Sequence, residues 1–337
     1  MSPPVVSVLL PARNASATVE RAARSILGQS LGRLELLAID DGSSDGTSEV
    51  LRRLAAEDGR VRLLEAGGRG LVHALTLGLG EARAPYVARM DADDESHPDR
   101  LALSVRALEA DPTLGAVGTQ VEIFREDRPV SPNMRLYEAW LNSLTTPEKL
   151  FTDRFVESPL CHPSTTARKE ALRQVGAWED GDFPEDYQLW LKLLHAGWRL
   201  RAVEGPLFRW RDGDGRLTRK DPRYALERYL FLKARFLALG LASEPRRVAV
   251  WGAGQTGLSL MRFLRAEGVE VALLVEVSRK KVGQRIDGIP VIAPDALPPP
   301  SELHLIAAVG AKGAREEIRG FLRARGWSEG RDFTCAA

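Results

Sequence analysis

Asp91-Ala92-Asp93-Asp94 places three carboxylates within four residues, directly after the apolar run that begins at Tyr86. Carboxylate oxygens are hard ligands that suit Mg2+ or Mn2+, and a cation held there would neutralise phosphate oxygens. If extended backbone continued through the motif, Asp91 and Asp93 would point the same way. The competing reading is a solvated acidic loop, which a lone D-x-D triplet favours because short motifs recur by chance. A second acidic pair, Asp40-Asp41, ends another apolar run and precedes Gly42-Ser43-Ser44-Asp45-Gly46-Thr47. A third, Glu185-Asp186, follows Pro184, in the order that suits the first turn of a helix. Leu189, Trp190 and Leu193 share a helical face with Asp186, so Asp186 sits at the end of an inward stripe. That makes Asp186 a candidate general base. Glu185 shares its flank with Gln188 and Lys192 and is the weaker candidate. On pattern alone, an acid that only complements the helix dipole competes with either role.

These acids need elements to hold them. Strand patterns at Val5 to Leu10, Leu34 to Ile39, Val61 to Leu64 and Tyr86 to Met90 alternate with helical patterns. The helices cover Thr18 to Gln29, Thr47 to Glu57 and Gly70 to Arg83. Such alternation predicts an α/β fold with a mostly parallel central sheet and helices on both faces. Ligands of such sheets bind beyond the carboxyl ends of the strands, where Asp40, Asp41, Asp91 and Asp93 all fall. From Leu114 to Arg211 the pattern is mixed, with apolar segments near Ala116 to Phe124 and Leu207 to Trp210. A helix is predicted from Pro184 to His195.

A second module opens at Arg246. Val248 to Trp251 reads as a strand, Gly252-x-Gly254-x-x-Gly257 starts a helix, and Val271 to Val275 ends in Glu276. This context suits a phosphate-binding turn with an acidic ribose partner, so Gly252, Gly254, Gly257 and Glu276 are candidate nucleotide or dinucleotide contacts. The same glycines would also serve tight strand-helix packing in a module for dimerisation or partner binding. The expected division is residues 1–220, a connecting helix at 221–245, and 246–337.

The order and spacing of several motifs in the first 210 residues are specific. They are Leu9-Leu10-Pro11-Ala12-Arg13-Asn14, Ser25-Ile26-Leu27-Gly28-Gln29-Ser30, Asp40-Asp41-Gly42-Ser43-Ser44-Asp45-Gly46-Thr47 and the Arg89 to Asp94 run. His162-Pro163, Gly176 and Pro184-Glu185-Asp186 continue the series. Together they resemble family 2 glycosyltransferases, which have the GT-A fold. The second module looks like the short Rossmann-like domains of sugar-modifying proteins. The first resemblance implies an inverting, metal-dependent transfer of a sugar from a nucleotide diphosphate-sugar, usually uridine-linked, to an acceptor hydroxyl on a glycan or lipid-linked molecule. It implies that Pro11, Arg13 and Asp41 hold the base, Arg69 lies near the donor, and Asp91 contacts its ribose side. Asp93 would bind Mn2+ or Mg2+, Asp186 would act as base, and Glu185 and His162 would sit beside the cleft. Two positions depart from the family, Gly68 and Thr76, where it often has Asn. A nucleotide-sugar-binding protein without activity is the alternative.

The 337 residues suffice for two domains, with 44% hydrophobic and 28% charged residues, an ordinary globular balance. A net charge of +1 gives no overall pull toward nucleic acid. Two cysteines, Cys161 and Cys335, argue against a disulfide framework and for a reducing compartment. The start of the chain lacks a basic region ahead of its short apolar run, and no run approaches the length of a membrane span. A cytoplasmic protein is expected. Arg223, Arg228, Lys233 and Arg235 on the connecting helix leave peripheral membrane contact open, beside plain packing, and self-association is also open.

Overall fold

The computed structural model describes residues 3–337. The chain forms two compact units. The first takes in the chain up to Phe151, Pro159–Gly181 and Glu185–Lys220; the second takes in Thr152–Ser158, Asp182–Pro184 and Asp221–Ala337.

In the first unit, β1 (Val6–Ala12), α1 (Val19–Leu27), β2 (Leu34–Asp40), α2 (Thr47–Glu57), β3 (Val61–Glu65), α3 (Leu71–Glu81) and β4 (Tyr86–Arg89) alternate as the sequence predicts. Next come β5 (Glu95–Ser96), α4 (Arg100–Ala110), β6 (Leu114–Phe124), α5 (Pro132–Ser143), α6 (Pro147–Thr152), β7 (Thr166–Arg168) and α7 (Lys169–Gln174). The unit ends with α8 (Glu185–His195), β8 (Arg199–Arg211) and α9 (Leu217–Lys220). All eight strands join one sheet, ordered β3-β2-β1-β4-β7-β6-β8-β5. The pairs β1–β2, β2–β3, β1–β4 and β6–β8 are parallel, whereas β7 runs antiparallel to β4 and β6, and β5 runs antiparallel to β8.

Both faces of this sheet are covered, which is why β1 and β2 read as continuous apolar runs. Val8, Leu10 and Leu36 pack with Ile26, Leu51, Leu101 and Val105 on one face. Leu9, Leu37 and Ile39 pack with Leu75, Leu79, Leu189 and Trp190 on the other. Alternate residues of one strand feed opposite cores, as the pleat requires. On the second face α3 lies so close that a Cβ at Gly78 would fall 2.6 Å from Ile39 Cδ1. Strand order reverses between β1 and β4, so the crevice beyond their carboxyl ends is the natural ligand position.

In the second unit, α10 (Leu226–Leu241) leads into β9 (Arg247–Trp251), α11 (Gln255–Ala266), β10 (Val271–Val275), β11 (Arg285–Ile286) and β12 (Ile289–Ile292). β13 (Leu303–Ala307), α12 (Ala314–Arg323) and β14 (Phe333–Cys335) complete it. The sheet order is β11-β12-β10-β9-β13-β14, and every pair but β11–β12 is parallel. Helix α10 packs on α11, with the Phe231 and Phe263 rings 6.0 Å apart. Its four cations do not form one basic stripe. Lys233 is buried, donates to the carbonyls of Val156 and Ala336, and has its pKa pushed down to about 8 by burial. Arg223 precedes the helix and pairs with Asp221, leaving Arg228 and Arg235 exposed. Among the described residues no helix is long and apolar enough to cross a membrane.

Candidate active site

Asp40 and Asp41 close β2 at the crevice, and the backbone sends them to different tasks. Asp40 accepts hydrogen bonds from Ser43 N–H (3.1 Å) and from the Ser48 hydroxyl, so it organises its own loop. Those bonds hold its carboxyl below the usual range despite burial. Asp41 accepts one bond, from Gly70 N–H (3.0 Å), through Oδ2. Arg13 approaches the same oxygen at 3.8 Å. Asp41 Oδ1 is buried without a partner. A buried carboxylate oxygen left unpaired is costly, and a ligand N–H would satisfy it. Two glycine loops make this possible. Gly42 has φ +72°, and a Cβ there would lie 2.9 Å from Gly68 N, so the loops after β2 and β3 touch backbone to backbone. Gly68 and Gly70, both at positive φ, flank the exposed Arg69. Pro11 is buried at the end of β1 beside them.

The acidic motif departs from the extended geometry that would align Asp91 and Asp93. A turn spans Ala92 and Asp93, and Asp94 N–H reaches back to the Asp91 carbonyl at 3.4 Å. Proximity of the carboxylates therefore comes from the turn. Burial and the neighbouring Asp91 charge push the Asp93 pKa up to about 6. Burial, then Asp91 and Asp93, push Asp94 well up as well. Asp94 Oδ1 accepts from Arg211 N–H (2.7 Å), and Oδ2 is buried without a partner. Crowded, desolvated carboxylates with spare oxygens suit a hard divalent cation. Among the described residues no three His, Cys, Asp or Glu side chains are grouped to hold a metal by themselves. A cation here would need oxygens from the ligand, as Mg2+ and Mn2+ beside phosphates commonly take.

A buried network ties this turn to α8. Arg89 donates to Asp91 Oδ1 at 2.5 Å and to His162 Nε2 at 3.4 Å. Trp178 Nε1 donates to the same His162 nitrogen at 2.8 Å. Burial and the Arg89 cation hold the His162 pKa well below its ordinary value, so the ring stays neutral and accepts. The ring meets Trp190 edge-on, with centroids 5.8 Å apart. Trp190 lies one turn beyond Asp186 on α8, and Leu189, Trp190 and Leu193 are all buried. Asp186 is half-buried at the first turn, its Oδ1 accepting from Tyr187 N–H, while Glu185 is buried. Of the pair, Asp186 is the one that keeps a solvent-facing edge.

Beside Arg89, three more arginines join the site without having stood out in the sequence. Arg89 is described above. Arg100 is fully buried, donating to the carbonyls of Arg89 (3.0 Å) and Pro163 (3.1 Å), and burial pushes its pKa down to about 9. Arg211 and Arg216 lie near enough to pull the Asp93 pKa back down. Arg216 stacks 4.1 Å from the Trp210 ring centroid. Of these, Arg211 directly follows the apolar segment Leu207 to Trp210 read from the sequence.

The second unit has its own cleft, a cavity of about 650 Å³ at the strand-order reversal between β9 and β13. The three glycines of its turn differ in purpose. Gly252 has φ +130°, and a Cβ there would lie 2.7 Å from the Ala308 carbonyl. At Gly257 a Cβ would fall 1.9 Å from the Gly252 carbonyl. Packing explains both. Gly254 has φ −90° and nothing within 4 Å of a Cβ, although it lines the cleft. Packing gives no reason for glycine there; room for a ligand does. Glu276 closes the cleft at the end of β10 and accepts from the N–H groups of Ala253 (3.2 Å), Val277 (2.9 Å) and Ser278 (3.1 Å).

The family model described as Glycosyl transferase family 2 matches residues 7–176, and that of a CoA binding domain matches residues 243–324. Among curated proteins, a putative glycosyltransferase, EpsE, of Bacillus subtilis is 29% identical over 231 residues, 67% of this chain and 80% of the relative. An uncharacterized glycosyltransferase of Haemophilus influenzae is 29% identical over 199 residues, 58% of this chain and 61% of the relative's own length. Among solved structures, S. aureus TarS 1-349 in complex with UDP-GlcNAc is similar with TM-score 0.53 at 14% identity, covering 78% of this chain and 71% of that one. A mannosyltransferase of Pyrobaculum calidifontis in complex with GDP-Man and Mn2+ is similar with TM-score 0.50 at 23% identity, covering 79% and 70%. At those identities the structural likeness concerns the fold, which is GT-A in the first unit and Rossmann-like in the second.

Proposed function

The chain belongs to glycosyl transferase family 2, and on that premise we propose that its first unit moves a sugar from a uridine diphosphate-sugar to an acceptor hydroxyl, with inversion at the anomeric carbon. The observation that carries this reading is the pair of buried, unpartnered carboxylate oxygens, Asp41 Oδ1 just beyond β2 and Asp94 Oδ2 between β4 and β5. Asp41 Oδ1 is the acceptor for a base N–H, with Pro11, Arg13 and Arg69 beside it. Asp91, steadied by Arg89, faces the ribose side, and Asp93 is the metal ligand. A bound Mn2+ or Mg2+ supplies charge neutralisation for the departing diphosphate. The Mn2+ and GDP-Man in the similar mannosyltransferase support the metal, and UDP-GlcNAc in the similar S. aureus protein supports uridine. Arg211 and Arg216 add positive charge on the same side.

Asp186 takes the acceptor's proton as its oxygen attacks the anomeric carbon. One carbon–oxygen bond forms, the bond to the diphosphate breaks, and the diphosphate leaves with the electron pair. His162 and Glu185 are positioning groups in this scheme. The acceptor is a glycan or lipid-linked glycan on the cytoplasmic side, in the synthesis of cell-surface carbohydrate.

A second reading concerns the other unit, where the open space above Gly254 favours a bound nucleotide over a purely structural module.

The test is a thermal-shift panel of UDP-, GDP- and dTDP-sugars with and without Mn2+, followed by release of nucleoside diphosphate. A uridine donor should raise the melting temperature, and by more with Mn2+ present. A shift without any turnover would indicate an inactive nucleotide-sugar sensor, and no shift with any donor would refute the reading.

A further inference from the structure

We propose that the cleft of the second unit takes a nucleoside diphosphate ligand whose ribose hydroxyls are both free, and rejects coenzymes that carry a phosphate on that ribose. CoA, with its 3′-phosphate, and NADP+, with its 2′-phosphate, fall in the rejected group. This rests on the reading of that unit as a nucleotide site, and it departs from the ligand that the matching family is named for.

The cleft offers positive potential in one place only. The N-termini of α11 and α12 both line it, and neither is capped by a side chain, since Gly254 and Gly313 hold the cap positions. Free amide N–H groups at helix ends suit a diphosphate, and the missing Cβ of Gly254 gives it room. The charged side chains of the lining are Glu276, Asp295 and Glu317, with no lysine, arginine or histidine among them; Glu317 lies in the first turn of α12, and Asp295 pairs with Arg325 just outside the lining at 2.8 Å. An extra phosphate on the ribose would be brought against the Glu276 carboxylate.

Glu276 is the discriminating group. It stands at the end of the strand that follows the glycine turn, where an acid receives ribose hydroxyls. Three backbone N–H bonds fix its two oxygens in place. A carboxylate has about four acceptor positions, which leaves one for a ribose hydroxyl. A phosphate there would be held against a fixed negative charge. Lys281 does not reverse this, because its Nζ lies 3.7 Å from Glu276 Oε2 and donates to the Ala253 carbonyl at 2.7 Å. Arg279 and Lys280 are exposed and outside the lining.

Matched pairs of probes test this on the full chain by isothermal titration: NAD+ against NADP+, and dephospho-CoA against CoA. The unphosphorylated member of each pair should bind, and the phosphorylated member should bind about tenfold more weakly or worse. Gly254→Val should abolish binding of NAD+ and dephospho-CoA while the far-UV spectrum and melting temperature stay near wild type, since a Cβ there has no protein atom within 4 Å. Glu276→Gln should narrow the gap within each pair. Asp41→Asn, in the first unit, should leave both titrations unchanged. Equal or tighter binding of NADP+ and CoA would overturn the discrimination and leave the nucleotide reading standing. Failure of all four probes to bind, or binding that survives Gly254→Val, would overturn both.

Discussion

The two units share a plan and differ in what they place on it. Each has a sheet whose strand order reverses, and each opens its crevice at that reversal. In the first unit the strand ends carry side-chain charge: Asp41 lies beside Arg13 after β2, and Asp91, Asp93 and Asp94 crowd together after β4 with Arg89, Arg211 and Arg216 close by. In the second, two helix ends without side-chain caps and a glycine with empty space above it stand beside the Glu276, Asp295 and Glu317 carboxylates. The first arrangement groups desolvated carboxylates with arginines, which fits the proposed stabilisation of a departing anion. The second offers preformed hydrogen-bond donors, which suits holding a nucleotide. A shared topology sets where a ligand sits, while the side chains at the strand ends decide whether anything happens to it.

That contrast can be broken from either side. The largest effect should come from Asp186→Asn, which should lower kcat by about 10²–10⁴-fold in a donor-turnover assay. Donor affinity and NAD+ binding by the second unit should both be retained. Turnover near wild type would remove Asp186 as the base and with it the asymmetry between the units. Gly257→Val should act in the opposite sense. Its side chain would have to displace the Gly252 carbonyl, so the second unit should lose about 1–3 kcal/mol or more of stability in a denaturant titration. The donor KM of the first unit should stay put. A smaller and more local change is expected from His162→Phe. The indole of Trp178 and the Arg89 side chain would each lose an acceptor, costing about 1–3 kcal/mol of stability. If His162 only fills space, kcat and KM stay unchanged; if it steadies Arg89 against Asp91, donor KM should rise while the pH profile keeps its shape.

Much of the first half of this scheme was legible in the sequence, because the signals were local. Continuous apolar runs at Val6 to Leu10 and Leu34 to Ile39 gave buried parallel strands, and the acids after them fell at strand ends. Three things were not legible. The strand Thr166–Arg168 is too short to show a period, so the antiparallel insertion between β4 and β6 left no trace. Arg211 reaches the acidic turn because β8 pairs with β5, a contact spanning more than a hundred residues. The three glycines of the second unit carry the same letter, and only the neighbours of each absent Cβ separate Gly254 from Gly252 and Gly257. The sequence left one condition open, whether extended backbone continued through Asp91 and Asp93, and a turn at Ala92 and Asp93 answers it.

The most direct test of the central claim is calorimetric titration of UDP into the full chain, with and without Mn2+, for wild type, Asp41→Asn and Asp93→Asn. Wild type should bind UDP more tightly with Mn2+. Asp93→Asn should lose that gain, and Asp41→Asn should weaken binding by about 1.5–3 kcal/mol whether or not Mn2+ is added. UDP affinity that is the same in all three proteins and indifferent to Mn2+ would contradict a donor site built on these carboxylates.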